Sequence, residues 1–392
     1  MDLEAFRWLL GSDGQRLLHR ATEVYAAHAD DPVGAAAALR REPVPPDRAA
    51  AALTQVHLRE RAAAKFGADA ARMYLTPEGL EQATRARVAR HRAARMAAAA
   101  PASVLDIGCG IGGDLLAMAR AGLTVAGVDR DPLRVEVARA NLAALGLGGA
   151  VRIADAADLD VTGFGAVFAD PARRTARGRV FDAEGWSPPW GFVLGLLEGS
   201  ACVKVAPGIP HALLPDGVEA EWVSDDGEVK EAALWSARLA TARRRATVIR
   251  GAGLVTLTDE DDPGRDGPVG AVGRYLYEPD GAVVRAGLVT AVAARVGGRL
   301  LDEHIAYVTA DERVTTPVAR GYEVLEELPF REKPLRAALR ARDVGRLTIK
   351  KRGVDVVPDQ LRRRLGLAGG VEGTLVLTRV AGRGTALLVR PL

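Results

Sequence analysis

VLDIGCGIGGD, Val104 to Asp114, reads as an apolar strand running into a glycine-rich turn and then a helix. Glycines at such a turn let the backbone approach a ligand closely, where side chains would stand in the way. Gly108, Gly110 and Gly113 also satisfy GxGxxG, the spacing of dinucleotide sites, but one match of that kind is weak. Working outward from Ser103, short apolar runs alternate with helical stretches: SVLDI, a helix from Gly113, TVAGVD, a helix from Pro132 to Leu145, VRIAD, AVFAD and CVKVAP. That alternation predicts an α/β fold with a parallel sheet and helices on both faces. Later runs around Val248 and Val255 read as an antiparallel finish to the sheet.

Three acids narrow the ligand. Asp106 lies at the end of the first strand, where its carboxylate can reach a cationic amino acid moiety. Asp129 ends the second strand twenty-three residues on, at the place for an acid that binds ribose hydroxyls. Asp155 ends the third strand and can accept from an adenine amine. This set suits S-adenosylmethionine, whose own carboxylate can meet the helix N-terminus near Gly112 and Gly113. The expected cofactor contacts are Asp106, Gly108, Gly110, Gly112, Asp129 with Arg130, and Asp155 with Ala156. With DIGCG, GVD and a DPxx loop in this order, residues 103 to about 206 resemble class I S-adenosylmethionine-dependent methyltransferases. The resemblance implies a Rossmann-like sheet; another nucleotide ligand, or a decayed site, is the competing reading.

Two loops compete for the catalytic position. DPAR, Asp170 to Arg173, follows the apolar strand AVFAD, whereas SPPW, Ser187 to Trp190, follows the charged and glycine-broken RGRVFDAEGW. In the class I fold the catalytic loop follows the fourth strand, so Asp170, Pro171 and Arg173 take that position and SPPW reads as the entry to a helix. Loops that methylate amino groups usually end in a stacking aromatic; Arg173 stands there instead, and Phe181, Trp186 or Trp190 could supply the ring, or could be lid or core residues. DPxR also resembles pyrimidine C5-methyltransferases, which need a Cys nucleophile after the fifth strand. Cys202 lies inside that strand, and Cys109 reads as a small residue between glycines. Direct transfer, with Asp170 or a loop carbonyl holding an acceptor N–H, is therefore expected.

On the N-terminal side, residues 1 to about 100 are Ala-rich and helical in pattern. Leu3, Phe6 and Leu10 share a face, EPVPPD makes a break, and Asp47 is placed to cap the next helix. Ala64 to Thr84 is similar to the approach segment of trimethylguanosine-cap methyltransferases, which can close over the cofactor, though an ordinary packed helix fits as well.

On the C-terminal side, LTDEDDPGRDGPVG, ending at Gly270, reads as a linker. Beyond it come RYLYEP, a helix through Val283 to Val296, and LLDEHIAYVT. A tail follows with helices Leu335–Arg342 and Pro358–Leu365 among the strands LTIKKR, TLVLTRV and ALLVRP. Residues 331–392 hold fifteen Lys or Arg against five Asp or Glu, a balance of +10, while the rest of the chain carries 38 against 45. A basic module on an acidic body says more than the average charge, since six Lys against forty-seven Arg reflects coding bias. From about Lys65 the chain most resembles bacterial class I methyltransferases with a THUMP-like C-terminal domain, a module that implies structured RNA. Lys350, Lys351, Arg352, Arg362, Arg363 and Arg364 are the expected phosphate contacts. No aromatic follows Phe330, so shape and backbone recognition is expected rather than base stacking.

The expected organisation is a helical N-terminal region (1–64), a class I methyltransferase domain (65–258), a small α/β, ferredoxin-like domain (271–330) and a basic THUMP-like domain (331–392). Two isolated Cys exclude a disulfide scaffold and a thiolate metal site, and fit a reducing cytoplasm. No apolar run approaches twenty residues, and MDLEAFRWLL does not fit a secretion signal, so a soluble, cytoplasmic protein without membrane or metal is expected. The expected activity is methylation of a nitrogen of a base in structured RNA, tRNA or rRNA. The rivals are a small-molecule or protein methyltransferase, and a non-catalytic RNA-binding protein that keeps the fold. Oligomeric state is not readable.

Overall fold

The computed structural model describes residues 2–28, 31–173, 186–187, 189–264 and 268–392. The chain divides into two compact units. One comprises residues 1–205, 209–218 and 233–240; the other comprises 206–208, 219–232 and 241–392.

The first unit opens with helices. Asp2 caps α1 (Leu3–Leu10) by accepting from Ala5 N at 2.8 Å, and Gly11 separates it from α2 (Ser12–Ala27). Phe6 and Leu9 face the core, while Leu10 is half-buried, one position off the expected stripe. Asp31 caps α3 (Pro32–Leu39). Helix α4 (Pro46–Phe66) begins earlier than expected: Pro45 is its cap and Asp47 lies within the first turn. Proline at the first helical position loses no hydrogen bond, and an acid there still complements the helix dipole. A 3-10 turn (Gly67–Ala71), α5 (Pro77–Gln82) and α6 (Ala86–Ala98) lead to the sheet.

That sheet has the parallel order β3-β2-β1-β4-β7 within this unit. Its strands are β1 (Val104–Ile107), β2 (Val125–Asp129), β3 (Ala150–Ile153), β4 (Ala166–Ala169) and β7 (Ala201–Val205). Every residue of β1 and β4 is buried, as strands covered on both faces require, whereas β3 at the edge buries only Val151. Helices α7 (Gly113–Arg120), α8 (Pro132–Leu145) and α9 (Trp190–Leu197) alternate with the strands. Asp131 caps α8 and left-handed Gly146 ends it. Between β4 and α9, β5 (Ala172–Arg173) pairs antiparallel with β6 (Trp186–Ser187).

The second unit holds β8 (Glu219–Asp225), most of β9 (Glu228–Trp235), β10 (Arg244–Arg250) and β11 (Gly253–Thr258). Strand β10 pairs parallel with β8 and antiparallel with β11, with Val248 opposite Val255 as expected. Helix α10 (Gly281–Ala286) packs on β8 and β10, and Arg244 donates to the carbonyls of Ala286 and Gly287 at 2.9 Å. The expected linker is pinned at Asp262, which accepts from Thr290 and Arg244. The helix expected over 283–296 is two, α10 and α11 (Val289–Arg295), broken at left-handed Gly287.

One seven-stranded sheet, β13-β14-β12-β15-β18-β17-β16, fills the rest. It joins β12 (Tyr275–Pro279), β13 (Arg299–Asp302), β14 (Ile305–Ala310) and β15 (Ala319–Leu328) to β16 (Val344–Lys351), β17 (Val371–Val380) and β18 (Arg383–Pro391). Because β15 pairs with both β12 and β18, one sheet runs on past residue 330. Helices α12 (Glu332–Arg340) and α13 (Pro358–Leu365) cover one face, where Leu335, Leu339, Leu361 and Leu365 pack on Leu347, Ile349, Leu375 and Leu377. The other face curls around Leu276, Tyr307, Tyr322, Val376 and Leu387. Gly382 N donates to Asp302 at 2.8 Å, tying the β17–β18 turn to the end of β13.

Candidate active site

Three glycines of the turn after β1 have positive φ: Gly108 at 75°, Gly110 at 55° and Gly112 at 90°. A side chain at any of them would be strained by that backbone conformation. Asp129, at the end of β2, braces the turn. Its Oδ2 accepts from Gly110 N and its Oδ1 from Asp131 N, both at 3.0 Å, and each oxygen keeps lone-pair capacity for a ligand hydroxyl.

Asp106 is 1% exposed, and its Oδ2 has no hydrogen-bond partner among the described residues. Burial first, then the carboxylates of Asp114 and Asp170, hold its carboxyl well above the usual range. Asp114 is paired with buried Arg92, whose guanidinium lies 4.5 Å over the Phe168 ring. An unpartnered buried carboxylate oxygen is costly by itself and marks a place for a cationic group. Asp155 is exposed, and its Oδ1 caps the short 3-10 turn Ala156–Asp158 through Ala157 N at 3.0 Å; Arg130 is exposed as well.

Asp170 follows β4 directly. Its backbone carbonyl lies 3.7 Å from where a Cβ on Gly108 would stand, so the loop after β4 abuts the glycine turn. The side chain has a partner that sequence reasoning missed: Lys204 of β7 donates to Asp170 Oδ2 at 2.6 Å and to Thr84 Oγ1 at 3.2 Å. A single Lys in the apolar run ACVKV was the available signal. Pro171 is half-buried beside Asp170, and the backbone of Arg173 pairs with that of Trp186. DPAR and SPPW, read as separate loops, are thus joined through Ala172 and Ser187. Trp190 starts α9 half-buried, and Phe181 lies outside the described residues. Cys109 and Cys202 are both buried and outside any disulfide, and burial pushes the Cys109 thiol up, so neither has the features of a nucleophile.

The approach segment packs against the turn. Asn141 of α8 accepts from Tyr74 N at 2.6 Å and donates to Tyr74 O at 3.0 Å and to Ile111 O at 2.8 Å. Gln55 of α4 holds Leu75 at both backbone groups, at 2.9 and 2.6 Å. At Gly79 a Cβ would come within 2.3 Å of the Ile111 side chain, so glycine is needed for this contact.

The expected phosphate contacts all lie in the second unit. Lys350 points into the curled face, donating to Glu278 at 2.7 Å, and Arg352 stands 5.4 Å over the Tyr307 ring. Arg362 bonds Asp359 at 2.6 Å and Leu347 O at 3.0 Å, and Arg364 bonds Glu332 at 2.8 Å. Lys351, Arg362, Arg363 and Arg364 are all exposed; among the described residues Arg363 reaches the Asp359 carbonyl, at 3.4 Å. Among the described residues no helix is long and apolar enough to cross a membrane, and no group of three or more His, Cys, Asp or Glu gathers for a metal.

Residues 104–173 match a methyltransferase-domain family, residues 319–391 a THUMP domain-like family and residues 2–62 a domain of unknown function. Uncharacterized S-adenosylmethionine-dependent methyltransferases from two strains of Mycobacterium tuberculosis, CDC 1551 and H37Rv, are each 41% identical over 360 residues, spanning 88% of this chain and 98% of their own. A crystal structure from Porphyromonas gingivalis W83, described as that of a methyltransferase, has a TM-score of 0.76 at 24% identity, over 96% of this chain and 98% of that one.

Proposed function

The chain belongs to the S-adenosylmethionine-dependent methyltransferases, and from that premise we propose that it methylates a nitrogen of a base in structured RNA, tRNA or rRNA. The turn fits the cofactor. The unpartnered oxygen of Asp106 would meet its ammonium, Asp129 its ribose hydroxyls, and the backbone around Gly108, Gly110 and Gly112 its amino acid end. Asp155, with Ala156, would hold the adenine side through the oxygen it does not spend on Ala157.

When bound, the cofactor supplies an electrophilic methyl group on a sulfonium. Alignment of the acceptor lone pair with that carbon is the main task left to the protein. Asp170 would accept the acceptor's N–H and so aim the lone pair. Asp170 would also give the surplus proton of the methylated nitrogen a path along its hydrogen bond to water. Pro171 and Arg173 would shape the loop around the base. The observation that carries this assignment is the Asp170 carbonyl against the Gly108 turn.

The RNA half of the reading rests on the THUMP-like match and on the +10 balance of residues 331–392. Nucleoside mass spectrometry of total RNA should show one N-methylated nucleoside lost when the gene is deleted. Wild-type protein should restore it and Asp170→Ala should not; an unchanged nucleoside profile would end the RNA reading. One observation favours a small-molecule or protein substrate: Lys350, Arg362 and Arg364 are already held by Glu278, Asp359 and Glu332. Under that alternative, interaction with RNA would show little dependence on salt.

A further inference from the structure

We propose that Lys204 is a positioning residue for methyl transfer: its ammonium fixes the Asp170 carboxylate beside the glycine turn and offsets its charge there. This rests on the reading of Asp170 as the group that meets the acceptor. Strand register supplies the placement. Phe168 is level with Cys202 and Ala169 with Val203, so Asp170 and Lys204 are the next pair along β4 and β7. The ammonium donates at 2.6 Å to Asp170 Oδ2 and at 3.2 Å to Thr84 Oγ1, joining the end of β4, the body of β7 and the loop before α6. Exposure is unequal: the Lys204 side chain is 15% exposed and that of Asp170 34%. The cation therefore lies inward and the carboxylate outward, with Oδ1 bonded to none of the described residues. A half-open carboxylate rotates freely unless one oxygen is held. A short charge-assisted bond selects one orientation and leaves the other oxygen for the acceptor.

The charge matters as much as the geometry. The carboxylates of Asp114, Asp170 and Asp129 all act on Asp106, which therefore feels the Asp170 charge directly. Arg92 answers Asp114. With Lys204 in place, Asp170 adds little net negative charge; without it, a bare carboxylate would face a cationic cofactor. Loss of Lys204 should therefore favour the sulfonium cofactor over its neutral thioether product, an effect that a purely structural lysine would not produce.

The test compares wild type, Lys204→Met and Lys204→Arg. Calorimetry would measure S-adenosylmethionine and S-adenosylhomocysteine, and single-turnover assays would measure transfer to RNA from cells lacking the gene. For Lys204→Met we expect product affinity within about threefold of wild type, a several-fold shift of relative affinity toward S-adenosylmethionine, and transfer slowed on the order of 100-fold, chiefly in kcat. Lys204→Arg should recover transfer to within about tenfold and keep the wild-type affinity ratio. Undiminished transfer in Lys204→Met, loss of product binding in that variant, or no recovery by Arg would each overturn the proposal. If wild type methylates no RNA, the RNA reading falls by itself. The affinity ratio then decides alone: a shift in Lys204→Met upholds the assignment and an unchanged ratio removes it.

Discussion

At the scale of single residues, the site is defined by acids with different neighbours. Asp129 is satisfied by two backbone N–H groups, whereas Asp106 has an oxygen with no donor and a raised carboxyl. A carboxyl whose folded pKa lies above its ordinary value contributes its stability at low pH and loses it as pH rises through that folded pKa. Without ligand, rising pH should therefore destabilise the protein through Asp106. A bound ammonium favours the ionised form, so binding expels a proton. S-adenosylhomocysteine should bind more tightly as pH rises, up to the elevated pKa of Asp106, and level off above it. Calorimetry in two buffers of different ionisation enthalpy would reveal the released proton. Asp106→Asn should abolish the pH dependence and weaken binding by about 1.5–3 kcal/mol, the worth of a hydrogen bond to a charged group. A pH-independent wild type would exclude Asp106 as the ammonium partner.

At the scale of elements, Asn141 decides how the approach segment and the turn move. It bonds both backbone groups of Tyr74 and the Ile111 carbonyl. Replacing it with Leu leaves buried backbone groups unpaired, at about 1–3 kcal/mol for each group. Asn141→Leu should lower the melting temperature and also shrink the further rise produced by S-adenosylhomocysteine; an unaltered ligand-induced rise would mean the segment has no bearing on the turn. The elements themselves were largely legible. The four residues of β1 and of β4 are apolar but for Asp106 and end at Gly108 and Asp170, and α8 carries its own start at Asp131 and stop at Gly146. What stayed hidden depends on contacts between distant positions. Asp170 and Lys204 are thirty-four residues apart, and Tyr74 and Asn141 sixty-seven. A polar residue at one place in a strand or helix does not announce its partner. Gly287 divided a helix whose apolar pattern runs straight through it, and the pairing of Ala172 with Ser187 came from segments too short to show alternation.

At the scale of the whole molecule, charge in the sequence and charge free to bind are different quantities. Lys350 is committed to Glu278 inside the second unit, while Lys351 beside it is exposed. Lys351→Gln and Arg363→Gln should leave folding intact and each lower the salt slope of RNA binding by about 0.7–0.9. Lys350→Met should instead cost stability, since it strands a half-buried carboxylate. Filter binding across a salt series, read beside thermal melts, checks both, and an unchanged slope in the exposed variants would take those residues out of the RNA interface. The division into units also bears on how the protein is made. The chain changes unit five times between Val205 and Thr241, and the first core includes Trp235, which is 1% exposed with the Arg95 guanidinium 4.1 Å from its ring centre. At about 5–20 residues per second the ribosome needs roughly 2–7 s to travel from Val205 to the end of that interval. During those seconds the nascent cofactor half lacks one of its largest buried side chains, and chaperones and proteases meet it with that core still open.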